Sequence, residues 1–174
     1  AGIIGAVGNN DRGVVGVMWN ARLMLCKFTD ATGEGFLSDA IQCIDYARRQ
    51  GARIMNASWG STGPSLLLRA AIDRARQAGI LFVTAAGNET NDNDATPDYP
   101  SAFPLDNIVS VAATTRTDEL ADYSNFGTAT VDLAAPGSAI YSTWNLGDDD
   151  YEFLSGTSMA APCVTGALAL LQAR

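Results

Sequence analysis

Histidine is absent from all 174 residues, so the chain holds no imidazole to act as a general base near neutral pH. Basic residues are scarce as well. Eleven Lys and Arg stand against 19 Asp and Glu, giving a net charge of -8 and a pI near 4.3. Phosphate binding needs a basic face, so this balance argues against a nucleic-acid partner and fits a molecule kept apart from its copies by charge repulsion. No apolar run reaches the roughly 20 residues of a membrane-spanning helix, and no membrane partner is expected. No signal peptide is present, but a chain that opens on Ala1 rather than Met is expected to be a processed or trimmed product. The three cysteines, Cys26, Cys43 and Cys163, form no C-x-x-C pair, and their odd number among apolar neighbours predicts free core thiols.

What is present is apolar and small. Hydrophobic residues make up 47% of the chain and there are 17 glycines, enough for one domain with a sizeable core and closely packed elements. Ala1 to Val7 reads as the tail of a helix, and Gly8-Asn9-Asn10-Asp11 as a turn. Apolar runs predict strands at 23–28, 53–59, 80–86, 108–113 and 131–134. Helical spacing predicts a helix over 38–50, capped by Ser38 or Asp39, and a second over 65–78; Gly51 and Gly79 stop them. Helices alternating with strands that are apolar on both faces predict a mostly parallel sheet covered by helices. The polar, acidic stretch 88–100 leaves the sheet at the carboxyl end of a strand, where open α/β sheets bind ligands.

The most informative stretch is Leu154-Ser155-Gly156-Thr157-Ser158-Met159-Ala160-Ala161-Pro162. Small residues lead into a helix that is apolar or small on every side, which predicts a buried central helix with Ser158 at its N-terminus. Backbone N–H groups are free there, and the helix dipole favours negative charge. Pro162 lacks the N–H that would bond the carbonyl of Ser158, so an irregular first turn is expected. Taken alone, Thr157 or Ser158 reads equally as a helix cap. Two further stretches end strands: Asn56-Ala57-Ser58-Trp59-Gly60-Ser61 and Ala85-Ala86-Gly87-Asn88-Glu89. Each alone reads as a strand running into a turn.

The nine-residue string resembles the nucleophile motif G-T-S-M-A-x-P of the subtilisin-like serine proteases. The other two stretches, Asp98-Tyr99-Pro100 and Asp132-Leu133-Ala134-Ala135-Pro136-Gly137 extend that resemblance over nearly the whole chain. It implies a single partial peptidase domain over 1–174, with a three-layer α/β fold, truncated at its N-terminus, and a serine endopeptidase activity on polypeptide. By the resemblance Ser158 is the acylating nucleophile and Asn88 the side-chain donor of the oxyanion hole, beside the Ser158 N–H. Ser58-Trp59-Gly60 pairs with extended substrate backbone. Ala85-Ala86-Gly87 forms the opposite wall of the primary specificity pocket, where Gly60 and Gly87 leave room for a large side chain. An apolar residue is expected before the scissile bond; Glu89 beside the pocket either helps a basic residue bind or faces water. The Tyr99–Pro100 bond is expected to be cis, and a secreted or extracellular location follows by family.

The departures matter as much. The family needs a His base and an Asp to orient it, and this chain has no His, with Cys163 where relatives often carry a non-catalytic one. By the resemblance, Ala1-Gly2-Ile3 follows directly on the H-G-T-H-V string. The missing N-terminal segment is therefore expected to hold the catalytic His and Asp and to complete the domain, and the chain alone is expected to be inactive. The relatives that use Glu as base carry Asp at the oxyanion position, unlike Asn88. The α/β-hydrolase pattern G-x-S-x-G fails at Ala160, and no acid or His follows Ser158. The alternative is a catalytically dead, peptide-binding pseudoprotease. No cofactor is needed for acyl transfer and no metal residue is assigned. Structural calcium stays open at Asn9-Asn10-Asp11, Asn91-Asp92-Asn93-Asp94 and Asp148-Asp149-Asp150, none with EF-hand spacing.

Overall fold

The computed structural model describes residues 1–147 and 149–173. Four parallel strands form the central sheet in sequential order: β1 (Ile54–Ala57), β2 (Leu81–Ala85), β3 (Ile108–Thr114) and β4 (Leu133–Pro136). Their register runs Met55 to Phe82, Val83 to Val109 and Ala113 to Ala135. Two core clusters lie on opposite faces, because alternate strand residues point opposite ways. On one face α2 (Leu37–Arg49) and α3 (Leu66–Gln77) bring Ile44, Ala47, Leu68, Ile72 and Ala75 against Met55, Ala57 and Phe82. On the other, Ala160, Ala161 and Val164 of the last helix, α4 (Thr157–Gln172), pack on Val83, Val111, Ala113 and Ala135. The result is the three-layer α/β arrangement that the strand and helix pattern predicts.

Local chemistry sets the element ends. Ser65 caps α3 by accepting from the Leu68 N–H at 3.2 Å. Gly51 and Gly79 follow α2 and α3 with φ of 77° and 73°, the left-handed turn that glycine adopts without steric cost. Arg74 of α3 donates twice to Asp45 of α2, at 3.1 and 2.8 Å, tying the two surface helices together. A four-residue helix (α1, Gly2–Gly5) opens the chain, and a short antiparallel ribbon of β5 (Ile140–Thr143) and β6 (Tyr151–Leu154) precedes α4. The Tyr99–Pro100 peptide is cis, as expected. No helix of the described residues is long and apolar enough to cross a membrane.

Four local expectations are corrected. α2 starts one residue early, with Phe36 at the cap position and no side-chain cap bond, so Ser38 and Asp39 lie within the first turn. The 131–134 strand is shifted to Leu133–Pro136, and the β5–β6 ribbon was not anticipated. Leu23–Phe28 is not a strand: among the described residues it pairs with no neighbour, and Leu25 is 79% exposed. It stands off from β1 across a cleft of about 880 Å³ bordered by Arg22, Lys27 and Arg53. A strand exists only where its N–H and C=O groups meet a partner, and apolarity cannot supply one. Finally, α4 is buried only in its first half. Leu170 and Leu171 are 46% and 63% exposed, so its all-round apolar character does not translate into all-round burial.

Candidate active site

β1, β2 and α4 converge so that the carboxyl ends of two strands face the N-terminus of the helix. Gly156 occupies the cap position of α4 and makes no side-chain cap. The first-turn hydroxyls therefore do something other than cap. Thr157, fully buried, accepts from the Gly87 N–H at 3.2 Å and donates to Asn88 Oδ1 at 3.1 Å. Its own N–H donates to the same oxygen at 2.8 Å. These two donors fix which end of the Asn88 amide is oxygen. Nδ2 is left as the outward donor, and nothing among the described residues accepts from it.

Ser158 and Ser58 are joined twice. The Ser158 hydroxyl donates to the Ser58 carbonyl at 3.2 Å, and the Ser58 hydroxyl donates to the Ser158 carbonyl at 2.9 Å. The second bond answers the vacancy made by Pro162: the carbonyl that proline cannot serve is taken by a side chain from the end of β1. Behind it, Asn56 Nδ2 donates to Ser58 Oγ at 3.0 Å, and Thr165 Oγ1, two turns along α4, donates to Asn56 Oδ1 at 2.9 Å. Strand and helix are thus stitched together at the residue of interest.

The anticipated residues meet at one place with one qualification. Ser158, Asn88, Ser58 and Gly87 are linked through the bonds just described. Ala85 and Ala86 are buried beside them at the end of β2. Gly60 follows in an extended stretch in which Ser61 and Tyr99 exchange both backbone bonds, at 2.7 and 2.8 Å. The Trp59 ring, however, packs edge-on against Phe28, with centroids 5.6 Å apart, and against the α2–α3 core. That residue offers the site its backbone only.

Two buried asparagines carry the loop after β2; the sequence reading does not single out Asn125 and places Asn93 only in a possible calcium stretch. Asn125 Oδ1 accepts from the N–H groups of Glu89 and Asn91 at 2.8 and 3.0 Å. Its Nδ2 donates to the Ala86 carbonyl at 3.1 Å, Glu89 Oε2 at 2.9 Å and Asn93 Oδ1 at 3.1 Å. Asn93 Nδ2 donates to the Ala86 carbonyl at 2.7 Å. Both side chains are fully buried. The available signal was a Ser-Asn pair held between Tyr123 and Phe126, which looks like an ordinary turn. Replacing Asn125 with Leu orphans the Glu89 and Asn91 N–H groups. At about 1–3 kcal/mol for each buried group left unpaired, we expect a loss of roughly 2–5 kcal/mol in denaturant unfolding. Faster hydrogen exchange at those two amides should accompany it.

Each possible calcium stretch has at least one side chain bonded within the chain. Asp94 takes the hydroxyls of Thr130 and Thr128 at 2.7 and 2.8 Å together with N–H groups of 128–130, and these bonds hold its pKa down to about 2. Asn10 Oδ1 accepts from the Arg12 N–H at 3.2 Å within its own loop, where Asn9 and Asp11 adopt φ of 58° and 56°. Asp150 accepts from the Leu146 N–H at 3.1 Å; Asp148 lies outside the described residues. Among the described residues no group of three or more acidic, Cys or His side chains could hold a metal.

A family model described as the Subtilase family matches residues 1–174. Subtilisin-like protease 2 of Plasmodium falciparum (isolate 3D7) is 40% identical over 174 residues, covering 98% of this chain and 13% of its own. Thermitase of Thermoactinomyces vulgaris is 39% identical over 171 residues, covering 98% of this chain and 58% of its own. Among solved structures, a cold adapted subtilisin-like serine proteinase superposes with a TM-score of 0.85 at 34% identity, covering 99% of this chain and 59% of that one. The chain therefore spans less than two thirds of each of these relatives.

Proposed function

The chain belongs to the subtilase family, and on that premise we propose that it carries the nucleophile and oxyanion-hole half of a subtilisin-like serine endopeptidase. Ser158 Oγ attacks the scissile carbonyl and loses its proton to the base; the C–N bond then breaks, the amine leaves with that proton, and the acyl-enzyme remains. The Ser158 N–H and Asn88 Nδ2 receive the charge that develops on the carbonyl oxygen. The observation that carries this reading is the double contact of Asn88 Oδ1 with Thr157, at 2.8 and 3.1 Å, which turns the amide's N–H₂ end outward beside the N-terminus of α4. The extended stretch Ser58-Trp59-Gly60 offers its backbone to substrate, in line with the family resemblance.

The chain does not supply the proton acceptor. It has no His, and the Ser158 hydroxyl points its proton at a backbone carbonyl, which is no base. An unassisted serine hydroxyl is almost entirely un-ionised near neutral pH. The base and the group that orients it are therefore assigned to a segment outside these residues. A denatured protein substrate tests this. We expect the full-length protein to cleave it and the 174-residue chain alone to be at least about 10³-fold slower, given the scale of triad assistance. Comparable rates from the two would overturn the assignment of the base to another segment. Absence of cleavage by the full-length protein would favour a peptide-binding pseudoprotease.

A further inference from the structure

Both glycines of the proposed specificity pocket lie against a carboxylate. A Cβ built on Gly60 would collide with Oδ1 of Asp98, whose Cγ lies 3.3 Å from that position. The paired backbones of Ser61 and Tyr99 deliver Asp98 there. On the facing wall, a Cβ on Gly87 would collide first with Nδ2 of Asn125 and would lie 2.7 Å from Oε2 of Glu89. Gly87 has φ of 110°, and Glu89 is folded back over it by the Asn88 N–H at 2.8 Å and by Asn125 Nδ2 at 2.9 Å. Glu89 is thus held in place over Gly87, although the residue is exposed.

Asp98 differs from Glu89 in being unanswered. Among the described residues its carboxylate accepts no hydrogen bond and meets no Lys or Arg. Burial, and secondarily the Glu89 charge, push its pKa up to about 7. A half-buried acid near a second acid, with no Lys or Arg in contact among the described residues, carries a desolvation cost that a bound cation would offset.

We infer that Asp98 and Glu89 make this pocket select a cationic side chain, Lys or Arg, in the residue before the scissile bond. The inference rests on the proposed function for the location of the pocket, and it replaces the apolar preference expected from the resemblance. Asp98 occupies the space beside Gly60 of the proposed substrate stretch, and Glu89, together with Asn125, occupies the space beside Gly87, so the glycines let both carboxylates come up against the backbone rather than leaving an open hole. Arg matches a carboxylate with a planar fork of donors, so Arg should exceed Lys.

The test is equilibrium binding to the full-length protein bearing Ser158→Ala, which removes turnover. Peptides identical except for Arg, Lys or the neutral Arg isostere citrulline at that one residue are compared by calorimetry. We expect Arg to bind about 10- to 100-fold more tightly than citrulline, the range for a charge-assisted bond in a partly desolvated site. Asp98→Asn should bring that ratio close to one, and Glu89→Gln should lower it by a smaller factor. The ratio is internal to each protein, so a general loss of affinity does not imitate the effect. Equal affinity for Arg and citrulline overturns the inference, as does a ratio unmoved by both substitutions. If the charge preference holds but the unmodified full-length protein cleaves none of the peptides, the endopeptidase reading fails and the cation-selective pocket stands.

Discussion

Ser158→Ala in the full-length protein should lower kcat by about six orders of magnitude, the size of loss found on removing the nucleophile of a subtilisin. The substitution deletes one oxygen and one long hydrogen bond, 3.2 Å from Ser158 Oγ to the Ser58 carbonyl. The bond that repairs the helix, from Ser58 Oγ to the Ser158 carbonyl, survives because it uses backbone of residue 158. Stability should therefore change by no more than about 1 kcal/mol, within the range of a single hydrogen bond. Single-turnover kinetics together with thermal unfolding check both halves. A retained rate would mean that another group attacks.

Asn88 should matter through kcat as well, and by two separable routes. Asn88→Leu removes the proposed oxyanion donor and leaves the Thr157 N–H and hydroxyl without their acceptor. Loss of one such donor costs roughly 10²- to 10³-fold in kcat, a magnitude taken from a member of this family. Asn88→Asp keeps an oxygen for Thr157 but replaces the N–H₂ with negative charge where the oxyanion forms. We expect Asp to preserve stability better than Leu and yet to depress kcat at least as far, with KM moving about twofold or less in both. Matched kinetics and unfolding curves decide it. If Leu and Asp both leave kcat near that of the unsubstituted protein, Asn88 only braces Thr157.

The sequence makes the helix-to-strand architecture readable because the central strands are apolar on both faces and the helices carry their cores at helical spacing, as in Leu68, Ala71, Ile72 and Ala75. The Pro162 vacancy is likewise readable, since proline's missing N–H is a covalent fact; which group fills it is not, because Ser58 lies 100 residues away. Leu23–Phe28 and the outer half of α4 fail for one reason. Apolarity states what can be buried, whereas burial depends on a neighbour being in place. Asn93 and Asn125 fail for another. An amide between turn-forming residues has the same local signature whether it faces solvent or serves a buried loop. Asp98 needs a glycine from a different segment before its position means anything.

The crossed serines have a mechanical consequence. Ser58 holds the Ser158 carbonyl with its side chain and the Ser158 hydroxyl with its backbone, while Asn56 and Thr165 lock the same strand to the helix further along. The end of β1 and the first turns of α4 are thus bonded directly to each other, like a ruler fixed to a stop. Under the proposed function, a peptide laid along residues 58–60 would be measured against Ser158 directly, through the bonds that join Ser58 to Ser158. Positional error in that grip is then limited by bond lengths of about 3 Å and not by the slack of a loop. Tolerances of this kind separate a near-attack geometry from mere proximity.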